Sequence, residues 1–182
     1  MSPNSLSGIN QSKRDYLRDM NVFVLDNSLR ESTVAQPLGH TLKDKYKILK
    51  QIKACNFQDV IVAAFGSGRR VDDAFCEDLD KAFDGKDAPQ HTYAFSEVTD
   101  SITKDGEMVF GHEHIPTGLK KMKKYGISNA IIEIDVAYDG YDWEDKFPVA
   151  DVVQVVAFLC KWTLNHLPPF GKECEKRNMV NL

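Results

Sequence analysis

Short runs of β-branched and apolar residues alternate along this chain with longer amphipathic stretches, at intervals of roughly 40 residues, and few folds accept that rhythm. The first run is Val22-Phe23-Val24-Leu25, ending at Asp26. Thr41 is placed to cap the helix that follows, with Leu42, Tyr46, Leu49, Ile52 and Lys53 at helical spacing. A second strand, Val60 to Phe65, is closed by Gly66-Ser67-Gly68. Its helix carries Val71, Ala74, Phe75, Leu79, Ala82 and Phe83 on one face and acids on the other. A third strand, Thr92 to Ser96, leads into a long loop from about Thr99 to His114; Pro116 then opens a helix that Tyr125-Gly126 closes. The fourth strand, Ala130 to Val136, precedes another long loop and a strongly apolar last helix from Val149 to about Leu167, stopped by Pro168-Pro169.

Strands that alternate with helices predict parallel βαβ units, because parallel neighbours need a crossover. The fold class is therefore α/β, with three parts: a polar N-terminal segment (1–20), four βα units (21–167) and a C-terminal tail without an element (168–182). Both an open doubly wound sheet and a segment of a (β/α)8 barrel accept four such units. The first strand-to-helix junction has no GxGxxG or GxxxxGK[ST] cradle, and Gly66-Ser67-Gly68 reads as a structural turn rather than a phosphate loop.

Charge and composition exclude other classes. A net charge of -4 gives no electrostatic case for nucleic acid or an anionic membrane. The lysines at 120, 121, 123 and 124 read as a solvated helix face. Four scattered cysteines without a CxxC pair point to reduced thiols in a cytoplasmic protein, not a disulfide framework or a zinc knuckle. Residues 1–20 lack the apolar stretch of a signal peptide, and no run is long enough to span a bilayer.

In a parallel α/β fold the chemistry sits at the C-terminal ends of the strands, and here that edge is acidic. Strand one ends at Asp26, with Arg30 and Glu31 just beyond. Strand three ends at Ser96-Glu97. Strand four carries Glu133 and Asp135, two residues apart and so on one face. Converging carboxylates suit a hard divalent cation. His112-Glu113-His114 is a weaker candidate, since His at i and i+2 in a loop can share a metal. Trp143, Phe147, Phe158 and Trp162 read as packing around the last helix, while His40 and His91 read as capping or surface residues.

The segment Asp26-Asn27-Ser28-Leu29-Arg30-Glu31 resembles the signature of the DRE-TIM metallolyase superfamily, and homocitrate synthases in particular carry Ser/Thr-Leu-Arg-Glu at the end of strand one. The resemblance runs without a gap through Lys45 and Ile48. It implies the first half of a (β/α)8 TIM barrel. It also implies a divalent metal (Mg²⁺, Mn²⁺ or Zn²⁺) held by Glu31, with Arg30 stabilising an enolate oxygen on a 2-oxo acid or acyl-CoA substrate. The sequence departs from the family where Ser32-Thr33-Val34 stands in place of Gly-Glu-Gln. Val60-Ile61-Val62 replaces the glutamate expected in strand two, and the chain ends before the late strand that bears the family's His-x-His pair.

Two functional expectations result. One is a metal-dependent lyase or acyl-transferring synthase, incomplete or inactive as an isolated chain, with Arg30 catalytic, Glu31 on the metal (His112 and His114 more weakly), and Asp26, Glu97, Glu133 and Asp135 around the substrate. The other is a non-catalytic scaffold that completes a barrel with a second copy or another subunit, since half a barrel leaves open edges and an exposed apolar interior.

Overall fold

The computed structural model describes residues 18, 23–31, 40–66, 70–84, 88–98, 114–134, 149–167 and 179–181. One sheet organises them. Its strands are β1 (Leu25–Asp26), β2 (Asp59–Phe65), β3 (His91–Glu97), β4 (Asn129–Glu133) and β5 (Met179–Asn181), in spatial order β1-β2-β3-β4-β5. Every neighbouring pair is parallel. Sequential order decides between the two architectures left open by the sequence: a doubly wound sheet reverses direction at a switch point, whereas this one advances one strand at a time, as the first half of a (β/α)8 barrel does.

The helices are α1 (Ser28–Glu31), α2 (Leu42–Ala54), α3 (Val71–Glu77), α4 (Leu79–Ala82), α5 (Thr117–Tyr125) and α6 (Val149–His166). Local chemistry fixes their ends. Thr41 caps α2 in a capping box: its hydroxyl accepts the Asp44 N–H at 3.3 Å, and the Asp44 carboxylate accepts the Thr41 N–H at 3.3 Å. Gly126, left-handed at φ 72°, ends α5 by donating its N–H to Met122 O. Gly118 lets α5 approach β3 closely, because a Cβ there would stand 2.5 Å from Ser96 Oγ and 2.9 Å from Ser96 Cα.

Leu49 and Ile52 of α2, Phe75 of α3, Leu79 of α4, Leu119 and Met122 of α5, and Val155, Leu159 and Trp162 of α6 share one core with Val60, Val62, Ala94, Ala130 and Ile132 of the sheet. All helices therefore pack on one face. The other face carries Ile61, Tyr93, Phe95 and Ile131, with Leu25 and Ala64 against them. The register shifts between Ile61 and Ala63, a bulge that puts Ala63 on the helix side and Ala64 on the inner one.

Four expectations are corrected. The inner face is not bare: Ile61, Tyr93, Phe95 and Ile131 are 0 to 8% exposed, with the Phe23 ring edge-on to Tyr93 at 6.5 Å and Arg30 above Phe95. The tail read as featureless supplies β5 along β4; three residues are too few to show a period. Among the described residues the strands at the two ends of the sheet, β1 and β5, have two and three residues, short edges that offer less template for pairing than long ones would. Finally, the helix faces read from the sequence are partly exchanged. Tyr46 is exposed while Lys45 is wholly buried, and the acids Asp72 and Asp73 are inside, not in solvent. Among the described residues no helix is long and apolar enough to cross a membrane.

Candidate functional site

At the C-terminal end of β1, Asp26 starts α1. One carboxylate oxygen accepts the Ser28 N–H at 3.1 Å and the other the Ser28 hydroxyl at 3.0 Å, an arrangement open to Asp because its short acceptor reaches back to the first free amides of a helix. The amides of Arg30 and Glu31 then donate to Asn27 O at 3.1 and 2.9 Å. Leu29 is fully buried in the helix-side core. The next residue points about 100° further round the helix, which brings Arg30 to the inner face, its guanidinium carbon 4.6 Å from the centre of the Phe95 ring. To get there from β1 the side chain crosses β2, where the residue in register with Phe95 is the small Ala64.

Glu31 lies alongside. Its Oε1 accepts from Arg30 Nη1 and from Asn27 Nδ2, the latter at 2.8 Å, and its side chain is 55% exposed against 18% for Arg30. On the next strands, Glu97 and Glu133 are cross-strand partners in register at the ends of β3 and β4. Alternation puts them on the face of Phe95 and Ile131, with backbones about 4.8 Å apart and roughly 6.6 Å beyond Phe95 along the strand. Glu97 is exposed and Glu133 half-buried. Asp26, Arg30, Glu31, Glu97 and Glu133 thus share the C-terminal rim, as the sequence suggested. Both oxygens of Asp26, however, are engaged by Ser28 rather than turned toward a substrate.

His112 and Asp135 lie outside the described residues, and His114 sits half-buried just ahead of α5. Among the described residues no group of three or more His, Cys, Asp or Glu side chains is arranged to hold a metal. Glu31, the acid the resemblance assigns to a cation, instead has an oxygen shared by a guanidinium and an amide. Divalent Mg²⁺ and Mn²⁺ take several oxygen ligands, so the described donors alone do not fit such an ion.

Beneath the rim, on the helix side, lies an ion pair that the sequence did not reveal. Lys45 Nζ sits 2.6 Å from Asp72 Oδ1, and the two side chains are 0 and 1% exposed. The same ammonium donates to Leu29 O at 2.8 Å and to Val62 O at 3.5 Å, while Asp72 Oδ2 accepts the Ala64 N–H at 2.9 Å. Position 45 belongs to the Leu49/Ile52 stripe by helical spacing. That spacing was the available signal, and the charge on lysine masked it.

A second helix-side cluster ties α3 to α5. Asp73 accepts from Arg70 N at 2.9 Å, from Lys121 Nζ at 2.9 Å and from the Tyr125 hydroxyl at 3.2 Å; Lys121 also donates to Gly66 O at 2.9 Å. Lys121 is therefore not part of a solvated lysine face. Burial by itself would raise the Asp73 pKa, but the Arg70 amide and the Lys121 ammonium outweigh it and hold the carboxyl below its ordinary value. Burial and the adjacent carboxylate push the Tyr125 hydroxyl up to about 12.

At the N-terminal end of the inner face, His91 Nδ1 lies 2.9 Å from Asp59 Oδ1, which also accepts the Tyr93 hydroxyl at 2.8 Å. Asp59 and His91 are direct register partners and both are buried, so His91 is an interior residue, not the surface or capping group its position suggested. No protein-family model, curated protein or solved structure matches this chain.

Proposed function

We propose that this protein binds a 2-oxo acid or the acyl thioester of an acyl-CoA at the C-terminal rim of its sheet, in the manner of a metal-dependent lyase or acyl-transferring synthase, and works in the cytoplasm. The observation that carries the reading is the setting of Arg30, whose backbone is pinned by the buried Leu29 while its guanidinium lies across the inner face on Phe95. A guanidinium stays charged at any physiological pH and offers several donors in a fixed fork, which matches a carboxylate or an oxygen developing enolate charge. Phe95 and Ile131 supply an apolar floor for the carbon skeleton, and the acids Glu97 and Glu133 bound the rim. Glu31 keeps Arg30 oriented until an anionic ligand replaces it as the guanidinium's partner.

Calorimetry with oxaloacetate and 2-oxoglutarate tests this. Saturable binding of one of them is expected, weakened at least tenfold by Arg30→Lys and lost in Arg30→Gln. A folded wild-type protein that binds neither, nor acetyl-CoA, overturns the proposal. Titration with Mn²⁺ extends it, because binding that disappears in Glu31→Ala would assign that carboxylate to a metal after all.

The second reading, a non-catalytic scaffold that completes a barrel with another copy or subunit, is favoured by Glu31 being engaged by Arg30 and Asn27. The buried inner face and the short edge strands weigh against it. Light scattering separates the two: a dimer that neither ligand nor Arg30→Gln perturbs supports the scaffold.

A further inference from the structure

We propose that Lys45 and Asp72 are positioning residues for the rim: from the opposite face of the sheet they set both Arg30 and the surface on which it lies. The inference rests on the reading of Arg30 as the ligand's anchor and names what holds it there.

The Leu29 carbonyl belongs to the peptide bond that leads into Arg30, and Lys45 Nζ donates to it at 2.8 Å. Ala64 is the β2 residue in register with Phe95, and Asp72 Oδ2 accepts its N–H at 2.9 Å. The 2.6 Å contact between Lys45 and Asp72 closes the link, so that one rigid unit joins the root of the Arg30 side chain to the strand position beside its aromatic shelf. The Lys45 ammonium donates to two carbonyls, Leu29 O and Val62 O, and has Asp72 Oδ1 beside it as its ionic partner. Val62 lies in the bulge of β2, between Ile61 and Ala63.

Stability alone does not account for such a pair. Removing two charges fully from water costs about as much as their attraction returns, and well-packed apolar residues in their place are often neutral or better. What an apolar pair cannot do is grip a carbonyl on one element and an amide on another. Fixing α1, a helix of four residues, needs such a grip, because one turn of helix has little stability of its own.

The test replaces the pair by Lys45→Met with Asp72→Asn, which removes both charges and leaves an acceptor for Ala64 N–H. If the pair positions the rim, the double variant folds, but the Arg30 and Glu31 amides exchange hydrogen at least tenfold faster while those of α5 are unchanged, and affinity for oxaloacetate falls at least tenfold. A folded double variant with unchanged exchange at Arg30 and Glu31 overturns the inference, whatever the ligand does. Should the double variant not fold, the wild-type protein decides: on titration with oxaloacetate the Lys45 Nζ resonance is expected to move with the same Kd as the Arg30 Nε resonance. An Arg30 resonance that moves while Lys45 stays still overturns the positioning role and leaves the ligand reading standing. Neither resonance moving overturns the ligand reading itself.

Discussion

Two acid–base pairs meet at the same four-residue helix, and they differ in nearly every respect that matters. Lys45–Asp72 is 0 and 1% exposed, bonds three backbone groups as well as itself, and lies on the helix side of the sheet. Arg30–Glu31 is 18 and 55% exposed, joins neighbours in sequence and stands on the inner face at the strand ends. A pair closed on all sides by backbone has no donor to offer a ligand. A guanidinium paired with a half-solvated carboxylate can exchange that partner for an incoming anion. The contrast separates a group that holds the rim from one that, on the proposed reading, meets the ligand.

The largest expected effect comes from breaking the buried pair on one side only. Lys45→Ala leaves Asp72 charged and dry, and should cost about 3–5 kcal/mol in urea unfolding, whereas Glu31→Gln should stay within about 0.5 kcal/mol, as exposed pairs do. Equal losses would erase the distinction. Next is a control for damage in general: Ile127→Val trims a fully buried core side chain just ahead of β4, at the end of the sheet away from the rim, and should cost about 0.5–1.5 kcal/mol, yet leave oxaloacetate affinity as it was. A drop in affinity there would mean that any loosening of the core reaches Arg30.

An intermediate case is Asp73, with side-chain exposure of 4% against 16% for its partner Lys121. Its folded pKa is lowered, so its contribution to stability is present above the unfolded value of about 3.9 and is lost as pH falls through the folded pKa. Asp73→Asn should flatten the acid limb of a stability–pH curve, and an unaltered limb would show that Asp73 is not what acid attacks. The smallest effect is spectroscopic. Tyr125 should ionise near pH 12 by its ultraviolet absorbance, and Asp73→Asn should bring that value down, because the adjacent carboxylate is one cause of the shift.

What the sequence made legible was what depends on neighbours in the chain. The strand rhythm, the Thr41 cap, Pro116 ahead of α5 and Gly126 behind it are local signals and appear where they were expected, except that the first strand is Leu25–Asp26, with Phe23 and Val24 outside it. The rim acids were also legible, because parallel topology by itself sends the residues after each strand to one edge. What stayed hidden depends on partners far away in sequence. Asp72 and Asp73 read as solvent-facing acids until the fold brings them to Lys45 and to Lys121. Asp59 and His91, 32 residues apart, meet only through the register of β2 and β3. The bulge between Ile61 and Ala63 leaves no mark in an unbroken apolar run.

The central claim is that Arg30 lies on Phe95 at the C-terminal rim, where an anion can take the place of Glu31 beside it, and side-chain NMR of Arg30 tests it most directly. In the free protein the ring current of Phe95 should shift the Arg30 side-chain resonances, an effect lost in Phe95→Leu, and added oxaloacetate should move the Arg30 Nε signal to saturation. Arg30 signals at unstructured values, unmoved by Phe95→Leu and by excess ligand, would contradict the account.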